Sequence, residues 1–483
     1  MTEARFTTDG GVALVLAGKG ARPARVELVG RRARVEGVLS GRGATWRAVL
    51  PLTAARWGGP RLPLPTGDYR VRITAADGAE ADEELDGLPM TMLGTVRASL
   101  QGSTLAVGPP IDPAYDSGEG QAALERRYAN RPGGLENAVF FESFYGRNAS
   151  DNPLAIDREL AHRAPGVTRY WSVVDFSVQV PDGAVPVVEG SPDWWRARGA
   201  ARLLVVNDWL RRRFERRPGQ KVVQTWHGTP LKRLALHRPG FDPRRAAAVV
   251  REARRWNVLL AQNAYAAGIL RKAYAFLTRP IWVEGYPRND VLVTGDGAAT
   301  RAALGIGADE RVLLYAPTWR DDREQMVDFV DPEELARDVD AVVLVRGHSR
   351  TLIPGTDAAG ARVIDVTGFP DTAQLFLAAD ALITDYSSVM FDFSVTGKPM
   401  FFLVPDMEHY RGELRGFYFD LVAHAPGPVV RTQADLVAAL RNHEPASFAA
   451  KYARWRDKFN ARDDGRAAER VVARILDQGF VAR

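Results

Sequence analysis

At 483 residues the chain is longer than one hydrophobic core usually organises, so two or three domains are expected. It has no cysteine, which excludes disulfides, thiolate nucleophiles and cysteine-ligated metals. The net charge of +5 hides an asymmetry: Arg196 to Arg255 holds seventeen Lys and Arg against four acids, a local +13 that leaves about −8 elsewhere. Such an excess predicts an anionic partner, a phospholipid surface or a polyphosphate chain. No RNA-binding aromatic signature and no DNA-reading motif accompanies it, so nucleic acid is not among the expected partners. With no apolar run of about 18 residues and no charged-then-apolar leader, the expectation is a cytoplasmic protein.

In chain order, residues 1–110 carry short alternating runs at Ala24–Val29, Arg34–Leu39, Thr45–Leu50 and Tyr69–Ile73, separated by Gly- and Pro-containing turns. They predict an accessory all-β sandwich without a catalytic set. Residues 111–135 read as a linker followed by a helix at Gln121–Ala129. From residue 136 the pattern becomes strand then helix, which predicts a doubly wound parallel α/β sheet over 136–298. Its strands are expected at Ala138–Phe141, Tyr170–Val174, Leu203–Val206, Val222–Val223, Val258–Leu260 and Ile281–Val283. A Gly- and Ala-rich hinge, Thr294–Asp309, leads into a second such domain over 299–445. Strands are expected there at Val312–Tyr315, Ala341–Val345, Val363–Val366, Ala381–Ile383 and Met400–Val404. A helical segment, 446–483, closes the chain.

Ligands of open α/β sheets bind beyond the carboxyl ends of strands, so the polar residues there are the candidates. The stretch Ala381–Asp392, ALITDYSSVMFD, reads as buried strand, tight turn and helix start. Its Thr384, Asp385, Ser387 and Ser388 suit a phosphate seat, although Ser and Asp are also ordinary helix caps. His227, in QTWHGTPLK, is placed as a general base for an incoming hydroxyl. Gly228 beside it lets substrate approach the backbone, and Thr229 and Lys232 follow at a helix start. A structural histidine capping the turn is the alternative. His348 follows Arg346 at the corresponding place in the second domain and suits an oxyanion stabiliser. Arg320, after Thr318, is a further phosphate ligand or part of a salt-bridged turn with Asp321 and Asp322, and Arg288 and Asn289 stand at the domain junction. No metal-ligand spacing, Walker loop or dinucleotide fingerprint is present, so no metal and no cofactor are expected.

Taken together, WHGTPLK (226–232), GYPRND (285–290), APTWRDD (316–322), RGHS (346–349) and ITDYSSVMFDF (383–393) resemble, in order, the CDP-glycerol:poly(glycerophosphate) glycerophosphotransferase family of teichoic acid polymerases and primases. The opening FESFYGRNASDNP (141–153) is similar to that family as well. The resemblance implies a GT-B-like pair of Rossmann-like domains and transfer of an alditol phosphate from a CDP-alditol to a lipid-linked polyanionic acceptor. It implies work at the inner face of the cell membrane, met through the basic 196–255 surface, and catalytic importance for His227 and His348. Alternative readings are a GT-B glycosyltransferase using a nucleotide sugar and a non-catalytic polyanion-binding protein of envelope assembly.

Overall fold

The computed structural model describes residues 2–42, 44–81, 85–129, 134–210, 214–318, 329–347, 362–409 and 416–483. His348, Arg320, Asp321, Asp322 and the Arg211–Arg213 run lie outside the described residues.

In the N-terminal part, two antiparallel sheets share one core. One runs Glu3–Thr7, Ala13–Lys19, Thr45–Pro51, Val38–Ser40; the other runs Leu88–Met92, Arg97–Gln101, Thr104–Gly108, Gly67–Thr74, Arg25–Gly30, Arg34–Glu36. Trp46, Ala48 and Leu50 alternate inward from Thr45–Pro51 and meet Val26, Leu28 and Val71 of the other sheet, the pattern of strands buried on one face only. The Tyr69 hydroxyl donates to the Pro65 carbonyl at 2.7 Å and pins the corner where its strand begins. The run Arg34–Leu39, expected as one strand, is two strands in different sheets, because the chain turns at Gly37, whose N–H donates to the Val26 carbonyl.

Beyond a helix at Gly118–Ala129, whose Leu124 and Tyr128 join the core of the next unit, lies a seven-stranded parallel sheet. Its order is Val185–Val188, Thr168–Val173, Glu136–Glu142, Ala201–Val206, Lys221–Gln224, Val258–Ala261, Ile281–Val283. The second parallel sheet runs Val363–Asp365, Val342–Val345, Val312–Ala316, Ala381–Thr384, Met400–Leu403, Val429–Val430. Central strands such as Val312–Ala316 and Ala381–Thr384 are buried along their whole length, which is why they stand out as continuous apolar runs. The edge strands Val185–Val188 and Val429–Val430 carried no such signal.

In each sheet the first strand lies between the second and the fourth, so strand order reverses there and opens a crevice at the carboxyl ends. The closing helical segment is divided. Ala449–Phe459 buries Trp455 and Phe459 in the second unit, whereas Ala467–Asp477 crosses back and buries Val471, Val472 and Ile475 under the first parallel sheet. Among the described residues no helix is long and apolar enough to cross a membrane.

Candidate active site between the two parallel sheets

The first sheet's crevice is built around Asn207, which follows the strand Ala201–Val206. Asn207 Oδ1 accepts from the Phe144 N–H at 2.9 Å, and its Nδ2 donates to Asp151 at 3.1 Å. Its backbone carbonyl lies 2.6 Å from His227 Nδ1. A carbonyl only accepts, so Nδ1 carries the proton and Nε2 of the neutral ring keeps its lone pair. Nε2 is engaged by no described residue. The half-buried ring stacks on Trp226 at 4.7 Å, with Phe144 at 5.9 Å. Trp226 holds φ 55, and Phe144, Tyr145 and Asp151 are also at positive φ. Backbone strain of about 1–3 kcal/mol per residue persists only where surrounding bonds over-determine it. Here Asn152 Nδ2 holds the Trp226 carbonyl and Arg288 Nη1 holds the His227 carbonyl.

From the second sheet, Ala381–Thr384 delivers the turn Asp385–Ser388. Thr384 Oγ1 donates to the Ala316 carbonyl across the switch point at 2.8 Å, and Asp385 Oδ1 accepts the Thr318 N–H at 2.9 Å. Ser387 and Ser388 are partly exposed, and the Ser388 hydroxyl does not cap the helix Val389–Phe393. That helix has 5 residues, so its dipole is small and an anion here would rest mainly on the two hydroxyls. The Ser388 hydroxyl faces Gly228: a Cβ added to Gly228 would lie 2.7 Å from Ser388 Oγ. A side chain there would have to push the Ser388 hydroxyl aside, and its absence lets the histidine turn of one sheet close against the serine turn of the other.

Arg288 joins the halves. Its Nη1 lies 2.9 Å from both carboxylate oxygens of Asp151 in the first unit and 3.1 Å from the His227 carbonyl. Its Nη2 lies 2.8 Å from Asp392 in the second unit, while its guanidinium rests over the Tyr286 ring at 4.8 Å. Burial alone would lower its pKa, but Asp151 and Asp392 together raise it, so the guanidinium is held charged. Asn289 donates to Asp392 at 2.9 Å. Beneath them Asp463, from the segment between the two closing helices, accepts from Gln262 at 2.7 Å, from the Tyr286 N–H at 3.1 Å and from Asn460 at 3.1 Å.

Several predicted ligands are therefore occupied by the protein itself. Arg288 and Asn289 serve the buried junction in place of the open cleft. Thr229 is fully buried, donating to Gln262 at 2.6 Å and accepting from Asn263 at 3.1 Å. Lys232 forms a backbone bridge to Phe417 of the second unit, a contact that does not involve its ammonium group. Arg346 Nη1 donates to the Val366 and Phe369 carbonyls, both at 3.0 Å, and burial pushes its pKa down to about 10 against the pull of Asp371 and Asp365. Of the predicted groups, Gly228 and Ser388 meet across the interface, which sets the His227 turn beside the Ser387–Ser388 turn. Asp151 and Asn152 lie in the stretch 141–153 and Asn207 directly follows the strand Leu203–Val206, but the sequence by itself assigns them no role. Asp392 had a readable signal, an acid inside the otherwise apolar VMFDF; Asp463 and Asn460 had none.

Arg288→Met leaves two buried carboxylates without a cation, so unfolding free energy by urea titration is expected to fall by about 3–5 kcal/mol, with part regained on adding Asp392→Asn. A loss below about 1 kcal/mol, the range of a surface pair, would contradict this reading. Burial pushes the Asp463 carboxyl up to about 7 from its ordinary 3.8, against the pull of its donors. The folded state then binds this proton more tightly than the unfolded chain. The resulting stabilisation is full below about pH 4 and is lost as pH rises through 7. Melting temperatures measured from pH 5 to 8 are expected to fall more steeply in the wild type than in Asp463→Asn; parallel curves would refute the assignment.

A model of the CDP-glycerol:poly(glycerophosphate) glycerophosphotransferase family matches residues 128–477. The chain is 35% identical over 367 residues to the teichoic acid poly(glycerol phosphate) polymerase of Bacillus subtilis (strain 168), covering 70% of this chain and 48% of that protein. It therefore spans about half the length of that relative. It is 34% identical over 381 residues to the teichoic acid glycerol-phosphate transferase of Staphylococcus aureus (strain NCTC 8325 / PS 47), covering 71% of this chain and 93% of that one. The solved structure of the wall teichoic acid polymerase TagF matches with a TM-score of 0.69 at 31% identity, over 74% of this chain and 93% of that one. The chain belongs to the CDP-glycerol:poly(glycerophosphate) glycerophosphotransferase family.

Proposed function

We propose that this protein transfers an alditol phosphate, glycerol phosphate first, from a CDP-alditol to a hydroxyl of a lipid-linked polyanionic acceptor and releases CMP. The observation that carries the reading is His227, its Nδ1 proton held by the Asn207 carbonyl, set beside the Ser387–Ser388 turn across Gly228. Family membership supports the CDP-linked donor, and the names of the relatives at 34–35% identity support glycerol phosphate. The two parallel sheets with crevices at their carboxyl ends fit a GT-B-type pair, and the two antiparallel sheets around one core fit a β sandwich.

In this reading the acceptor oxygen attacks the β-phosphorus of the donor. A new O–P bond forms as the bond to the bridging oxygen breaks, CMP leaves with that electron pair, and the hydroxyl proton passes to His227 Nε2. The Asn207 carbonyl then faces the Nδ1–H of an imidazolium and keeps it oriented. Charge on the phosphoryl oxygens falls to the hydroxyls of Ser387 and Ser388. His348 and Arg320, which lie outside the described residues, are assigned to the diphosphate from their places after strands in the sequence, and the family resemblance adds weight to His348.

In the same reading the basic segment 196–255 meets the acceptor at the inner membrane face. Within it Phe241 is 89% exposed and precedes the helix Pro243–Ala253, which buries Val249 and Ala253 and leaves Arg244 and Arg251 exposed, as does Arg254 just after it. An exposed aromatic beside a row of arginines suits the boundary of an anionic bilayer.

CMP release from CDP-glycerol and CDP-ribitol, with an acceptor analogue, tests the reaction. His227→Ala is expected to lose about 10²–10⁴-fold in rate while CDP binding is retained. An unchanged rate would remove His227 as the base; no release from either donor by wild type would remove the reaction. In co-sedimentation with phosphatidylglycerol vesicles, Arg244→Glu with Arg251→Glu is expected to weaken binding more than about tenfold, at about 1 kcal/mol per charge lost. Equal binding by wild type and variant would rule this face out as the docking surface.

A further inference from the structure

The strands Thr53–Ala55 and Arg61–Pro63 form a hairpin in the N-terminal β part. Its tip turns on Trp57 (φ 55) and Gly58 (φ 70), with the Gly59 N–H donating to the Arg56 carbonyl at 2.9 Å. A bulky residue at positive φ is costly and needs an external reason. The Trp57 ring supplies one. It meets Phe369 edge-on at 5.5 Å and packs on the core of the second parallel-sheet unit, outside its own domain. Its buried Nε1 has no hydrogen-bond partner among the described residues, so the contact is carried by ring area. Beside it Gly58 abuts Ala303, whose Cβ would lie 3.0 Å from a Cβ added at Gly58.

The same stretch also holds the first parallel-sheet unit. The Thr66 N–H donates to Asp175 Oδ2 at 2.8 Å, and Asp175 is itself buried and fixed by the N–H and hydroxyl of Ser177. One short segment of the β part thus touches both units that form the cleft.

On the second unit the contact falls on the turn Val366–Phe369. The Val366 and Phe369 carbonyls take both bonds of Arg346 Nη1, and Thr367 Oγ1 accepts the Gly347 N–H at 2.9 Å. Arg346 and Gly347 end the strand Val342–Val345 and lead, in sequence, to His348. We propose that the N-terminal β part is a brace across the cleft, and that Trp57, acting through Phe369, is a positioning residue for the Arg346–Gly347 strand end on the donor side. Ring area against ring area holds the turn; the turn's carbonyls hold the arginine; the arginine fixes where the chain leaves the sheet. The kinetic consequence rests on the proposed transfer from a CDP-alditol, whereas the mechanical one does not.

The test uses the full chain with Trp57→Ala, Trp57→Leu and Trp57→Phe, the leucine variant standing in should the alanine variant fail to fold. Amide hydrogen exchange over residues 363–369 is expected to quicken about tenfold in the alanine and leucine variants and to return toward wild type in the phenylalanine variant. For CDP-glycerol, KM is expected to rise about fivefold with kcat within about twofold, and the Kd for CDP to rise in parallel, again rescued by phenylalanine. Unchanged exchange in the alanine and leucine variants overturns the brace. Faster exchange with unchanged KM and Kd overturns the positioning role. Should wild type neither bind CDP nor release CMP, the proposed reaction fails and exchange alone still decides the brace.

Discussion

A single guanidinium, that of Arg288, holds the geometry of the cleft together. It takes both oxygens of Asp151 from one unit and a carboxylate oxygen of Asp392 from the other, in a place with little water to screen them. Removing two anions and a cation from water is expensive, and their mutual attraction offsets that cost only in good geometry. The arrangement therefore tolerates little change in how the units sit. Because the same guanidinium also grips the His227 carbonyl, the position of the proposed base is set by the junction and not only by its own turn. The strained backbone at Asp151 and Trp226 is consistent with this, since each is tied down by partners from another part of the chain.

The two sheets use the same topological feature for different ends. In each, the first and fourth strands are neighbours whose following connections lead away to opposite sides and leave a crevice at the carboxyl ends. On one side Asn207 stands there and spends its side chain on Asp151 and the Phe144 N–H, leaving its backbone carbonyl to orient an imidazole. On the other side Asp385 stands there and draws in the Thr318 N–H, which fixes the turn that presents two serines. Fold alone would not distinguish the proposed proton acceptor from the proposed phosphate seat; the assignment rests on the residues after each strand.

Much of this was legible in the sequence, for a physical reason. Strands buried on both faces must be apolar throughout, so the interior strands of both parallel sheets announce themselves, and the polar residues after them mark the crevices. Short edge strands such as Val185–Val188, and two-residue Val429–Val430, have too few residues to make a pattern. The approach of the Ser388 turn to the His227 turn is implied by Gly228, since a glycine beside a strand-end histidine admits close approach. What could not be read was the division of polar residues between cleft and junction. Thr229 and Ser388 are both hydroxyls next to a strand end, yet one is sealed in a network with Gln262 and Asn263 while the other faces across the interface. That difference depends on Asp463 and Asn460, more than 150 residues from Thr229 and brought there only because the last helix crosses back.

The carboxylates around the cleft also bear on the kind of substrate it accepts. An enzyme acting on a diphosphate and a polyphosphate chain gains nothing from free negative charge near the reacting atoms. Asp151 and Asp392 are neutralised by Arg288, Asp385 accepts backbone N–H groups, and Asp208 accepts the Tyr145 hydroxyl and the Trp209 N–H. The orienting partner of His227 is likewise a neutral carbonyl, where a triad hydrolase would place a carboxylate. A carboxylate there would stabilise the imidazolium more strongly but would also stand against the polyanionic acceptor of the proposed transfer. A carbonyl fixes the tautomer without adding that repulsion, which is the compromise expected of a base that must work beside phosphates.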